Sequence, residues 1–128
     1  MPTCRELNGC VPCVLSLGPG ADLFAELRSF MAEGRWTEAI VLGAAGSFDL
    51  AQVCYPRDAT LPPVVERITL EGVFEISSLS GNVVVREGQA HVHLHGSFAE
   101  QGQKVYGGAL GDGTRVFKMA DLFLLSKR

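Results

Sequence analysis

His91, His93 and His95, in the stretch Ala90-His-Val-His-Leu-His-Gly96, are the only histidines of the chain. Imidazole both ligates transition metals and exchanges protons near neutral pH, so that chemistry is gathered into one short segment. Val92 and Leu94 alternate with the histidines. This pattern predicts a strand with all three imidazoles on one face. A hydrogen-bonded structural role is the competing reading. Three histidines in register are harder to ascribe to packing than one and favour a ligand role.

Strand geometry limits the cluster. At a rise of ~3.3 Å per residue, adjacent members lie ~6.6 Å apart at Cα and the outer two ~13 Å apart. Two neighbours can converge on one ion at bond lengths of ~2.1 Å, whereas three on a straight strand cannot. Either the strand bends or other residues complete the site. Cys54, Asp49, Glu75, Glu100 and the same residues of a symmetry-related copy are the candidates. Glu75 is assigned to orient an imidazole or to supply an oxygen.

The surrounding pattern shows what must hold this segment. Gly18, Pro19 and Gly20 signal a turn, and Asp22 is placed to cap a helix. Leu23, Phe24, Leu27, Phe30 and Met31 then recur at helical spacing until Gly34 stops it. Residues 13–17 alternate like a strand, residues 39–43 read as a buried strand, and residues 47–55 read as the next, with a turn at Gly43 and Gly46. The glycine pair lacks the spacing of a phosphate-binding loop. Residues 56–63 form a loop. After it, residues 64–70, 73–77, 82–86, the histidine segment, 104–106, 115–119 and 121–125 read as short strands between glycine-containing turns. One early helix followed by many strands predicts an α+β fold with a mainly antiparallel sheet, as a single domain over residues 1–128.

Composition narrows the classes. Of the 128 residues, 47% are hydrophobic and 20% charged, enough for one domain with a real core. The 11 Lys and Arg are scattered against 14 Asp and Glu, for a net charge of −3, which is no footprint for a phosphate backbone. No stretch reaches the ~18 apolar residues that span a bilayer, and no secretory signal pattern opens the chain. The expectation is a cytoplasmic protein without membrane partners, with Cys4, Cys10, Cys13 and Cys54 as reduced thiols. Cys10-Val-Pro-Cys13 has the spacing of half a zinc site or a redox pair. The second zinc pair is missing and β-like alternation follows in place of a helix, so incidental cysteines at the start of a strand are the reading taken.

Three segments together resemble one family. Gly72-Val-Phe-Glu-Ile-Ser-Ser-Leu-Ser-Gly81, His93-Leu-His95 and Lys104-Val-Tyr-Gly-Gly-Ala-Leu110 are similar to the signatures of the plant-and-prokaryote conserved (PPC) domain. Leu15-Ser-Leu-Gly-Pro-Gly-Ala-Asp-Leu23 and Ile40-Val-Leu-Gly43 extend the likeness over nearly the whole chain. The resemblance implies an α+β domain assembling as a homotrimer. Bacterial members of the family commonly carry a provisional DNA-binding label, and prokaryotic members can hold a metal through such histidines. Two departures stand out: Ala109 replaces the histidine of the family's Gly-Gly-His-Leu pattern, and His91 occupies a position that is usually apolar.

The first functional reading is a trimeric binding module whose histidine strand holds a divalent metal, zinc by first choice, or a small ligand near a subunit interface. His91, His93 and His95 are its metal residues, with Glu75 beside them. The second is a DNA-associated regulatory or oligomerisation module without a metal. Direct DNA contact is disfavoured, because no Arg is followed by Gly as in an AT-hook core and three copies of an acidic chain repel DNA. The third, a metal-assisted enzyme, has histidines and carboxylates available but no nucleophile–base pair at recognisable spacing, so an enzyme is the lesser expectation.

Overall fold

Asp22 caps the single helix as its position predicts: its Oδ1 accepts hydrogen bonds from the Phe24 and Ala25 amides, each at 3.0 Å. In the computed structural model, which describes residues 1–128, helix α1 runs Leu23–Glu33 and Gly34 ends it. Leu23, Phe24, Leu27 and Met31 are buried against the sheet, with Phe30 half-buried beside them. Burial of each such side chain contributes ~1.5–3 kcal/mol, which holds an otherwise marginal 11-residue helix in place. No helix of the chain is long and apolar enough to cross a membrane.

Six strands complete the fold: β1 (Val11–Leu17), β2 (Glu38–Pro56), β3 (Val65–Arg86), β4 (Gln89–Glu100), β5 (Lys104–Leu110) and β6 (Arg115–Lys127). They form one antiparallel sheet in the order β1-β6-β2-β3-β4-β5. The expected α+β class with a mainly antiparallel sheet and one N-terminal helix is therefore observed. One further pairing changes its shape. The end of β5 returns to β2 through Val53↔Leu110 and Cys54↔Ala109, so β2, β3, β4 and β5 close into a ring. Aromatic side chains fill its interior: Phe98 meets Phe74 edge-on at 5.3 Å and Phe48 at 6.0 Å.

The strands are longer than the sequence pattern predicts. Residues 39–43 and 47–55 are one strand, β2, not two. Register shifts between Val41 and Gly43 and after Gly46 bend it without a turn. The three strands expected within residues 64–86 are likewise one, β3, and those expected at 115–119 and 121–125 are both parts of β6. Glycine inside a strand resembles a turn signal because it weakens the strand locally, yet here the ladders on both sides carry the chain through.

Two of these glycines position the histidine segment. Gly81 has φ 149°, and a Cβ built there would run into the His93 carbonyl oxygen, so β3 can approach β4 at this point only as glycine. Gly108 has φ 145°, and its Cβ would lie 3.1 Å from Val53 Cγ1, where β5 closes the ring onto β2. The cysteine pair is unremarkable: all four cysteines are free, and Cys13 lies on β1 with its Sγ facing the Val11 carbonyl at 3.5 Å.

Candidate functional site

The expected alternation on β4 is present. Leu94 and Phe98 are wholly buried while His91, His93 and His95 lie on the opposite, exposed face. His93 and His95 lean together: their Nε2 atoms are 3.1 Å apart, with ring planes at 76°. One imidazole N–H donates to the other ring's nitrogen. Two nitrogens bound to one tetrahedral ion at ~2.1 Å would stand ~3.3–3.4 Å apart, so the observed separation is close to that of a shared ion, while the hydrogen-bonding proton would have to leave and the rings turn.

The ring of strands decides what surrounds this pair. Asn82 stands opposite His93 and Ser80 opposite His95 on β3, while Ala109 flanks His95 on β5 and Cys54 flanks Ala109 on β2. Cys54, Ala109 and His95 therefore form a row across three strands, its ends ~10 Å apart at Cα. Beside the row opens a cavity of about 540 Å³. Tyr55, Leu61, Pro63 and Val65 make it largely apolar, with His95 and Cys54 at one side and Asp58 and Thr60 from the loop between β2 and β3. Asp58 is held below the usual carboxylate range by hydrogen bonds from Thr60, through the hydroxyl first and the backbone amide second. Ala109 lines the cavity beside His95.

The three histidines do not form one ligand cluster. His91 faces Val84 on β3 and lines a different groove, beside α1. His93 and His95 cross an equal ~6.6 Å step by leaning together, whereas His91 is turned to the groove beside α1. Nowhere in the chain do three or more His, Cys, Asp or Glu side chains converge as a metal-binding group. Glu75 pairs with Ala99, four residues along β4 from His95 and thus ~13 Å away, and makes no hydrogen bond to either imidazole. Asp49 is engaged with Arg115 at 2.7 Å. Of the candidate partners, only Cys54 shares the cavity with His95. Tyr55 and the loop at 58–61 carry no sequence signal for this role, since their proximity to β4 arises only from closure of the ring.

Fold and site together define a small α+β module with an imidazole pair, one member of which, His95, borders a largely apolar cavity. The chain belongs to the Plants and Prokaryotes Conserved (PCC) domain family, whose model matches residues 5–127, in agreement with the resemblance carried by the glycine and histidine motifs. No curated protein matches the sequence significantly. Among solved structures, the chain is similar to a plant- and prokaryote-conserved protein of Pyrococcus horikoshii, with 24% identity over 97% of this chain and 85% of that one and a TM-score of 0.79. A protein of Archaeoglobus fulgidus described as metal-containing is 26% identical over 98% of this chain and 86% of its own, with a TM-score of 0.81. A Bacteroides thetaiotaomicron protein described only provisionally as DNA-binding is 18% identical over 96% and 81%, with a TM-score of 0.77.

Proposed function

We propose that this chain is a homotrimeric binding module in which His93 and His95 together hold a divalent metal, zinc by first choice, at the mouth of the apolar cavity. The 3.1 Å separation of the two Nε2 atoms carries this reading, because it nearly matches what two imidazoles on one ion require. The metal-containing A. fulgidus protein supports it by analogy. His91 is left out of the ligand set and Glu75 has no part in orienting it. The remaining coordination positions belong to water, to a small ligand in the cavity, or to a neighbouring copy. A metal bound there would act as a Lewis acid toward a ligand atom entering from the cavity.

Trimer formation is favoured by apolar side chains left exposed on the strands. Val14 and Phe123 are cross-strand partners that remain 62% and 41% exposed, and Val73 on β3 and Val105 on β5 are 49% and 67% exposed. Direct DNA binding is not favoured by a net charge of −3. The deciding experiment is elemental analysis of untagged protein purified without added metal, beside His93→Ala and His95→Ala. Near-stoichiometric zinc, nickel or manganese in the native protein, lost in both variants, supports the site. Absence of metal, together with no heat on titration with those ions at neutral pH, reassigns the pair to hydrogen bonding.

A further inference from the structure

The groove at His91 is separate from the imidazole pair and from the cavity at Cys54. It lies between α1 and the hairpin joining β3 to β4 and holds about 620 Å³, within the range of small-molecule sites. Met31, Trp36 and Val85 provide its apolar lining. Trp36 is held in place, with Phe30 stacked at 6.0 Å and the Arg128 guanidinium 3.7 Å from its ring centre. The charged lining is of one sign. Arg28 and Arg35 line the groove beside His91, and no carboxylate does. The chain's four ion pairs engage Arg5, Arg28, Arg57 and Arg115, so Arg35 has no acidic partner and Arg28 alone is offset, by Asp112.

A chain with a net negative charge thus turns a locally positive, apolar-floored groove to solvent. Arg35 also has φ 54°, a conformation that L side chains adopt at a cost glycine avoids, so backbone geometry alone would favour glycine there. We propose that this groove binds a small organic anion, its carboxylate or phosphate received by Arg35 with Arg28 and His91, and its apolar body resting against Ala32, Val85 and Ala90 above the buried Trp36. Positive charge at the rim selects the anion, and the apolar lining favours an organic body over a bare inorganic ion. This site does not depend on metal binding at His93 and His95.

Trp36 is the only tryptophan of the chain, so its emission reports this groove directly. Titration with anilinonaphthalene sulfonate, an aromatic anion, is expected to quench Trp36 saturably with energy transfer to the dye. Phenyl phosphate or benzoate should displace the dye, and the stronger displacer identifies the head group as phosphate or carboxylate. Arg35→Gly relieves the backbone while removing the charge, and should weaken dye binding by about tenfold without lowering the melting temperature. Arg35→Gln gives the same comparison with a side chain retained, and His93→Ala should leave dye binding unchanged. Absence of saturable quenching, quenching that neither anion displaces, or dye affinity in the Arg35 variants equal to that of the native protein would overturn the proposal.

Discussion

Two clefts take their histidines from the same strand and differ in almost everything else. At one end of the β4 histidine segment, His95 borders an apolar cavity with Cys54 and carries a second imidazole 3.1 Å away. At the other, His91 borders a groove whose charged side chains are arginines and whose apolar wall comes from α1. A ~13 Å segment that reads as one cluster therefore serves two environments. What separates them is the partner layer. Closure of β5 onto β2 builds the first, and packing of α1 against the sheet builds the second.

The largest effect expected is one that damages the support of the comparison itself. Phe98 is wholly buried and packs against Phe48, Phe74 and Tyr106 inside the ring. Phe98→Ala should cost about 3–5 kcal/mol in urea unfolding. A loss below ~1 kcal/mol would mean that the ring is not held by this aromatic core.

Next comes the metal. At free zinc a hundredfold above its Kd, the native protein should gain about 2.7 kcal/mol of stability. Thermal melts should show this gain abolished in His95→Ala and preserved in His91→Ala. An equal loss in both variants would return His91 to the ligand set and erase the distinction between the clefts.

Ala109→His sharpens the comparison in the opposite direction. Ala109 lies directly beside His95 in the ladder, so a third imidazole there should tighten zinc binding by at least about tenfold in calorimetry. Unchanged affinity would show that the row across β4, β5 and β2 does not point at the ion.

The smallest expected effect lies away from both clefts. Arg5 grips both carboxylate oxygens of Glu38 at 2.8 and 2.7 Å, and this hydrogen bonding holds the Glu38 carboxyl below its ordinary range. A carboxyl depressed by folding stabilises the protein above the unfolded value of ~4.3 and loses that contribution as pH falls through the lower folded value. The small melting-temperature difference between native protein and Arg5→Ala should therefore shrink as pH is lowered through and below ~4.3. A difference that grows on acidification would contradict the pairing. Because Arg5 is largely exposed, neither cleft should change.

Local patterns were legible wherever neighbouring residues decide the outcome. Asp22 as cap, Gly34 as stop, the apolar stripe of α1 and the alternation of β4 all follow from spacing along the chain. The glycines were misleading. Gly43, Gly46, Gly72 and Gly81 read as breaks between strands, whereas they bend β2 and β3 or admit a neighbouring backbone. Whether a glycine turns the chain or lets another strand come close depends on what lies across from it, which no local window contains.

Sequence alone determined that this is an α+β domain of the plant-and-prokaryote conserved family with an exposed histidine face, because periodicity and three ordered motifs suffice for that. Only the tertiary structure decided that His93 and His95 form a pair while His91 stands apart, and that Cys54 rather than Glu75 shares their surroundings. It also gathered Arg28, Arg35 and Trp36 into one groove with His91. The physical reason is the same in each case. Strand register and ring closure set side-chain neighbours between positions dozens of residues apart, and spacing along the chain carries no record of that separation.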